Sequence, residues 1–417
     1  MTTLVTRLLS GAALMALAAG SAQAGGFAVK EGSVSSQGMS FSNYTAGAND
    51  ITHIYQNPAA LQKTTGSTLT VGGTISYITP SADGDFDQNA TADFFGIGGG
   101  DGNPSKDAIV PGTYLGFRIH EKAAIGLSIT SPFGLRTEYD ESDAELATTE
   151  ATETELKLIV FTPTVAAEVV KGFTVGAGLS VAYADLTFNA GGNTALPTNP
   201  QFEYRGDDIA FGVNVGALID FTPSTTLGIS YKSGFNLEAE GNFSAAALGG
   251  GTFHNSTFSA DAPGLLSIGL RQNLTENLEL ALEAQWQNWS VLDEAVISND
   301  AFGEIPETFG YKDAYFFAAG LQYQAFDSLQ LRTGVAYDQT PTTDEDRSIR
   351  VPDEDRIWLS VGASYEIAEG MSVDAAYSYL RAIEDPTVDI DVGGTEFGTA
   401  EFEADVHIIS VGGRYDF

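Results

Sequence analysis

The side chains that could carry out a reaction are few and far apart. His53, His120, His254 and His407 each stand alone, outside any His-Glu-x-x-His pair or other ligand spacing. No Gly-x-Ser-x-Gly elbow presents a serine nucleophile. With no cysteine there is no thiolate nucleophile, thiolate metal site or disulfide. The glycine stretch Gly96–Gly102 does not fit Gly-x-Gly-x-x-Gly, and nothing matches a P-loop. Asp83, Asp85 and Asp87 open like a calcium loop, but Gln88 stands where glycine belongs and Phe94 where glutamate belongs. That stretch reads as an exposed loop. The expectation is therefore no enzyme, no cofactor and no metal. An outer-membrane hydrolase stays open only if a serine meets a histidine across strands, with His407 the favoured partner.

Composition narrows the partners. The chain has 417 residues, 55 acidic against 19 basic, for a formal charge of −36. So acidic a surface repels nucleic-acid phosphate, and no basic cluster offers an exception. With 43% hydrophobic residues, 25 Phe and 16 Tyr, it is too apolar for an acidic disordered protein. Length allows several soluble domains or one large barrel.

Met1–Ala24 reads as a signal peptide: Arg7, an apolar stretch from Leu8 to Gly20, and Ala22-Gln23-Ala24 as a small-x-small cleavage site. The stretch falls short of the ~20 residues a membrane anchor needs. After it no apolar run is long enough for a spanning helix. One membrane class remains, the β-barrel, whose lipid-facing and lumen-facing residues alternate.

The alternation is there. Leu69, Val71, Ile75 and Tyr77 share one face while Thr70, Thr74 and Ser76 share the other. Similar segments follow, from Leu115, Phe117, Ile119 to Ile409, Val411, Tyr415, and they number 14, an even count as single-chain barrels require. Tight turns such as Lys171-Gly172 alternate with long connections: Ser131–Leu156, Leu186–Arg205, Gly241–Asp261, Leu292–Lys312, Gln339–Asp355 and Ile383–Glu403. Short periplasmic turns opposite long extracellular loops are the asymmetry of an outer-membrane barrel. Tyr77, Tyr183, Trp286, Trp289, Tyr337 and Tyr379 at segment ends suit interfacial girdles. Acidic loop runs (Asp140-Glu141-Ser142-Asp143, Asp344-Glu345-Asp346) read as a solvated face, with divalent bridging to lipopolysaccharide as the alternative. The fold class is thus all-β, a 14-stranded antiparallel transmembrane barrel over 67–417. Residues 25–66 precede it, either a plug inside the lumen or a periplasmic tail.

Gly26-Phe27-Ala28-Val29-Lys30-Glu31, Asn49-Asp50 and Asn57-Pro58-Ala59-Ala60-Leu61 resemble the N-terminal hatch of the outer-membrane long-chain fatty acid transporter family (FadL/TodX-like). Ile129-Thr130-Ser131-Pro132-Phe133-Gly134-Leu135 is similar to that family's third strand and following loop. Arg350-Val351-Pro352-Asp353-Glu354-Asp355-Arg356 is similar to its Pro-Asp-x-Asp-Arg block. The resemblance implies passive uptake of hydrophobic compounds, long-chain fatty acids first and aromatic or aliphatic hydrocarbons as the alternative. It implies capture in a groove between outer loops, for which this chain offers Phe188, Leu196, Phe202 and Tyr204, then Phe243, Leu248, Phe253 and Phe258. It implies a deeper pocket beside Phe27, a hatch piece Asn57-Pro58-Ala59, and lateral exit to membrane lipid at a third-strand kink. Pro132 removes a ladder donor there and Gly134 weakens the strand, with Phe133 between them, or else Pro132 merely ends the strand as the loop begins. Arg356 shares lumen-facing parity with Trp358 and is the candidate carboxylate anchor, or else a structural partner of Asp353 or Asp355. Lys30 and Arg136 are weaker candidates. Tyr415-Asp416-Phe417 resembles the terminal signal read by the barrel-assembly machinery. An open polar porin and a surface adhesin are the competing readings.

Overall fold

The computed structural model describes residues 26–47, 49–66, 68–139, 145–190, 202–245, 252–301, 303–391 and 395–417. The signal peptide, the acidic run Asp140–Asp143, and Leu196 and Leu248 lie outside the described residues. Fourteen strands close one barrel: β1 (Leu69–Gln88), β2 (Ala108–His120), β3 (Ala123–Thr130), β4 (Glu153–Val170), β5 (Phe173–Ala190), β6 (Phe202–Thr222), β7 (Thr225–Lys232), β8 (Leu265–Asn273), β9 (Leu278–Gln287), β10 (Ala314–Phe326), β11 (Leu329–Asp338), β12 (Arg356–Ala368), β13 (Met371–Ala382) and β14 (Glu396–Asp416). Each pairs antiparallel with its neighbours in chain order. β1 closes the ring on β14, from Thr70↔Asp416 to Gln88↔Gly398. All fourteen alternating segments of the sequence are these strands.

Polarity is reversed relative to a water-soluble protein. Ile75, Phe117, Phe161, Phe211, Phe317, Leu359 and Ile409 are exposed on the outer wall, while Thr70, Ser76, Thr162, Asn214, Ser267, Ser360 and Ser410 are buried inside. A continuous apolar girdle around a polar interior is stable only where lipid replaces water outside. No helix among the described residues is long and apolar enough to cross a membrane.

Strands also run where loops were expected. β5 and β6 continue far into the Leu186–Arg205 connection, Phe235–Ala245 pairs with Thr252–Ala262, and Glu294–Asn299 pairs with Gly303–Thr308. Asp83, Asp85 and Asp87, expected on a loop, form the outward row of β1 opposite Glu403, Glu401 and Thr399. Their inward neighbours explain this: Ala82 and Phe86 pack with Phe402, Ala400 and Val388 in a core above the lipid-facing girdle. Alternation persists there with charge in place of the outward apolar row. Trp289 leaves the expected aromatic girdle as well, being fully buried inside the barrel.

The described residues between Gly26 and Gly66 are mostly buried and bond to the inward faces of the strands. The turn of helix Val34–Gln37 is capped by Ser33, the 3-10 turn Ile51–Ile54 by Asp50, and helix Ala60–Thr64 ends the segment. Short capped turns give a compact mass with few long-range ladders, so the wall must hold it. Lys63 pairs with Asp220 at 2.6 Å, Gln56 donates to Ser267 Oγ at 2.7 Å, and Asn214 donates to the Tyr55 carbonyl at 2.7 Å. The wall also makes room. Gly176 and Gly216 are cross-strand partners on β5 and β6, and a Cβ on either would overlap Pro58 or Asn57.

Burial pushes the Glu31 carboxyl of this plug up to about 7, against opposing backbone hydrogen bonds and Lys30. The folded state then keeps a proton that the unfolded chain releases above its ordinary value of 4.5. The contribution of Glu31 to stability is complete below that value and is lost as pH rises through 7. Glu31→Gln is expected to gain stability relative to the parent as pH rises from 5 to 8, on the order of 1–3 kcal/mol. Paired thermal unfolding curves in detergent check this, and a pH-independent difference would refute it.

Candidate ligand pocket and lateral window

The third strand breaks where proline and glycine flank Phe133. β3 pairs with β4 as far as Thr130↔Val160, and the ladder resumes at Gly134↔Lys157, so the kinked side carries one extra residue. On its other edge, pairing with β2 stops at Thr113↔Ile129, although β2 continues to Ala108. The resulting window in the wall lies between Val110-Pro111 and Ser131–Phe133. A bridge between Ser105 and Thr137 closes it above. Proline has no N–H for the missing rungs, which is why the break falls here.

The start of the hatch occupies the inner side of this break. Ala28 bridges Phe133, Val29 N donates to the Pro132 carbonyl at 2.8 Å, and Gly134 N donates to the Phe27 carbonyl at 3.0 Å. The Phe27 ring meets Trp289 edge-on at 4.7 Å and Phe133 at 5.9 Å. The main chain of Phe27 and Val29 is thus tied to the kink by two hydrogen bonds.

Above Phe27 lies an apolar pocket bounded by Leu135, Leu156, Leu186, Phe188, Leu237 and Phe258. An aromatic run leads into it from the upper rim: Phe253, Phe243, Phe202 and Phe188 are in successive contact, with Phe258 against Phe188 and Tyr204. Phe202 and Phe253 are only partly buried and form its outer end.

One buried cation faces this pocket. Arg350 stacks 3.9 Å above the Phe188 ring and donates to Thr154 Oγ1 at 2.8 Å, the Asn189 carbonyl at 3.1 Å and the Glu150 carbonyl at 3.0 Å. Its nearest carboxylate is the half-exposed Glu307, 3.6 Å from Nε. Glu150 offers little charge in return, because burial pushes its carboxyl up to about 8. At the rim, Glu155 is neutralised by Lys157 at 2.8 Å, and Asp261 accepts from Asn236.

The barrel is closed, polar inside and apolar outside, with an aromatic run leading to its pocket and a broken third strand. The sequence matches the family described as outer membrane protein transport protein (OMPP1/FadL/TodX) over residues 15–417. The chain belongs to this family. A long-chain fatty acid transport protein of Escherichia coli O6:H1 is 28% identical over 412 residues, covering 89% of this chain and 90% of that one. Outer membrane protein P1 of Haemophilus influenzae is 27% identical over 413 residues, covering 89% of each. Among solved structures, a Pseudomonas aeruginosa FadL homologue superposes with a TM-score of 0.82 at 22% identity, over 94% of this chain and all of that one. The Pseudomonas putida toluene transporter TodX gives 0.67 at 14% identity, over 94% and 99%. This FadL/TodX-family barrel is an outer-membrane transporter of hydrophobic compounds and not an enzyme.

Several residues singled out in the sequence fall together in this transporter: Phe27, Pro132, Phe133 and Gly134 at the break in the third strand, and Phe188, Phe202, Phe243, Phe253 and Phe258 along the aromatic run. Others fall elsewhere. Asn57-Pro58-Ala59 sits against β5 and β6, where Asn57 Nδ2 donates to the Thr45 and Ala217 carbonyls at 2.8 and 3.1 Å. Arg356 faces inward with Trp358, but its guanidinium is 2.5 Å from Asp353, and it does not line the pocket. Arg136 pairs with Glu138 at 3.1 Å. His407 lies on the outer wall beside Tyr377 and Tyr379, with no serine partner.

Sequence reasoning missed a serine–histidine contact inside the hatch. Ser36 Oγ and His53 Nε2 are 2.9 Å apart, with Asp50 nearby accepting from Ser35 Oγ and Thr52 N. Both Ser36 and His53 are fully buried. Burial holds the His53 ring below its ordinary pKa. The contact belongs to the packing of the plug.

Proposed function

We propose that this transporter takes up long-chain fatty acids, with Arg350 as the carboxylate anchor. The observation that carries this is a buried guanidinium, paired among the described residues only with the half-exposed Glu307, facing a largely apolar pocket. A charge-assisted hydrogen bond is worth about 1.5–3 kcal/mol, enough to favour an anion over a neutral chain by about 10- to 100-fold. The tail is first gathered by Phe253 and Phe202, slides along the aromatic run and fills the pocket down to Phe27. To go deeper it must displace the Phe27 ring from Trp289. That movement pulls on the Val29–Pro132 and Gly134–Phe27 hydrogen bonds and lets the window at Ser131–Phe133 admit the chain to the bilayer. Each step runs down a gradient of burial, so no energy source is needed.

The aromatic run favours a second reading, uptake of flat hydrocarbons, since rings stack on Phe188 and Phe258 at least as well as a chain does. Trp289 separates the two. Oleate that displaces Phe27 is expected to change the emission of Trp289, and the change should vanish in Trp289→Phe and Phe27→Ala. Toluene producing the full effect where oleate produces none would assign the hydrocarbon reading instead.

A further inference from the structure

Below Phe27, between the hatch and the window, lies a second chamber that contains two lysines. Lys30 of the hatch and Lys232 at the end of β7 both line it, together with Tyr55, Gln285 and the window residues Pro111 and Phe133. Lys232 Nζ donates to Gln56 Oε1 at 2.8 Å and lies 4.1 Å from the Tyr55 ring centroid. Lys30 Nζ donates to Gln285 Oε1 at 3.3 Å and lies 4.3 Å from the Phe316 centroid.

Among the described residues neither ammonium has a carboxylate within 4.0 Å. The acidic groups nearest in charge terms are engaged elsewhere. Glu283 accepts from Thr45 and from Gln285 Nε2, Asp338 accepts from Trp358 Nε1, and burial pushes the Glu31 carboxyl up to about 7. Amide oxygens and ring faces thus do what an anion would do better. Two amines in one desolvated space cannot both hold their charge cheaply, and a carboxylate between them would favour the charged form of both while gaining charge-assisted hydrogen bonds. Its lining sets Lys30, Lys232, Gln56 and Gln285 in the same space as the window residues Val110, Pro111, Pro132 and Phe133.

We propose that this chamber is a second head-group site, where Lys30 and Lys232 hold the carboxylate of an amphiphile while its tail enters the window. The proposal rests on the fatty-acid reading above and adds a station to it: Arg350 captures the head, and the two lysines receive it past Phe27. Neutral hydrophobic molecules need no such station.

The test compares Lys30→Gln/Lys232→Gln with the parent, using oleate and oleyl alcohol as probes, in cells for uptake and in detergent for affinity. Oleate affinity, set at Arg350, should stay within about twofold of the parent. Oleate uptake should fall at least about tenfold, the loss of one charge-assisted contact, while oleyl alcohol uptake stays at the parent level. Lys30→Arg/Lys232→Arg should restore oleate uptake. Oleate uptake at the parent level in the folded double variant would overturn the proposal, as would equal loss for both probes. A parent that binds no oleate would overturn the fatty-acid reading and this station with it, and is distinguished by failing before any lysine is changed. If the double variant does not fold, as read by heat-modifiable migration, Lys30→Gln and Lys232→Gln are read singly by the same criteria.

Discussion

Gly216→Val is expected to unseat the hatch and turn a closed barrel into a leaking one. Gly216 on β6 faces Gly176 on β5, and together they form the bare patch of wall on which Asn57-Pro58 rests. A valine there would overlap the Asn57 amide, which now donates to the Thr45 and Ala217 carbonyls. Overpacking costs about 1–3 kcal/mol, and a buried amide left without partners costs about 1–3 kcal/mol more. The strand itself loses nothing, because valine suits an extended backbone. The plug gives way before the barrel does. Single-channel recording in planar bilayers should find the parent closed and Gly216→Val conducting, with Gly216→Ala between them. A folded Gly216→Val barrel as silent as the parent would show that the hatch does not depend on this patch.

Arg350→Gln is expected to weaken oleate binding about 10- to 100-fold and to leave toluene binding within about twofold, the difference being one charge-assisted contact. Glutamine keeps a donor for Thr154 or Asn189, so the local fold has a substitute for part of what the guanidinium holds. Equal losses for both probes would mean that Arg350 shapes the pocket without reading charge. Arg356→Gln supplies the contrast. Its partner Asp353 also accepts from Gly26 N and Thr340 Oγ1, so its removal should lower barrel stability with little change in ligand selectivity.

The barrel was legible because a transmembrane strand writes its environment at every second residue. Ile75 and Tyr77 face lipid while Thr74 and Ser76 face the lumen, and no long-range information is needed to see it. Above the membrane the outward row of β1 becomes Asp83, Asp85 and Asp87, the apolar half of the signal moves inward to Ala82 and Phe86, and strand looks like loop. The kink was legible for a local reason too, since Pro132 cannot complete a ladder.

The cation was not. Arg356 sits on a strand, where parity says which way it faces; Arg350 sits in a connection, where parity says nothing. Only the fold of Gln339–Asp355 back over the rim brings Arg350 to Thr154 and Phe188, far away in sequence. The same holds for Lys232 beside Gln56, Trp289 beside Phe27 and Ser36 beside His53. Each involves a plug residue, whose short turns carry no periodicity to say which way it faces.

The most direct test is a crystal structure of the parent protein with a terminally brominated long-chain fatty acid. Carboxylate density within hydrogen-bonding distance of Arg350, with the chain lying along Phe188 and Phe258 toward Phe27, is the predicted result. A head group placed away from every buried cation, or a pocket that admits toluene and excludes the acid, would contradict it.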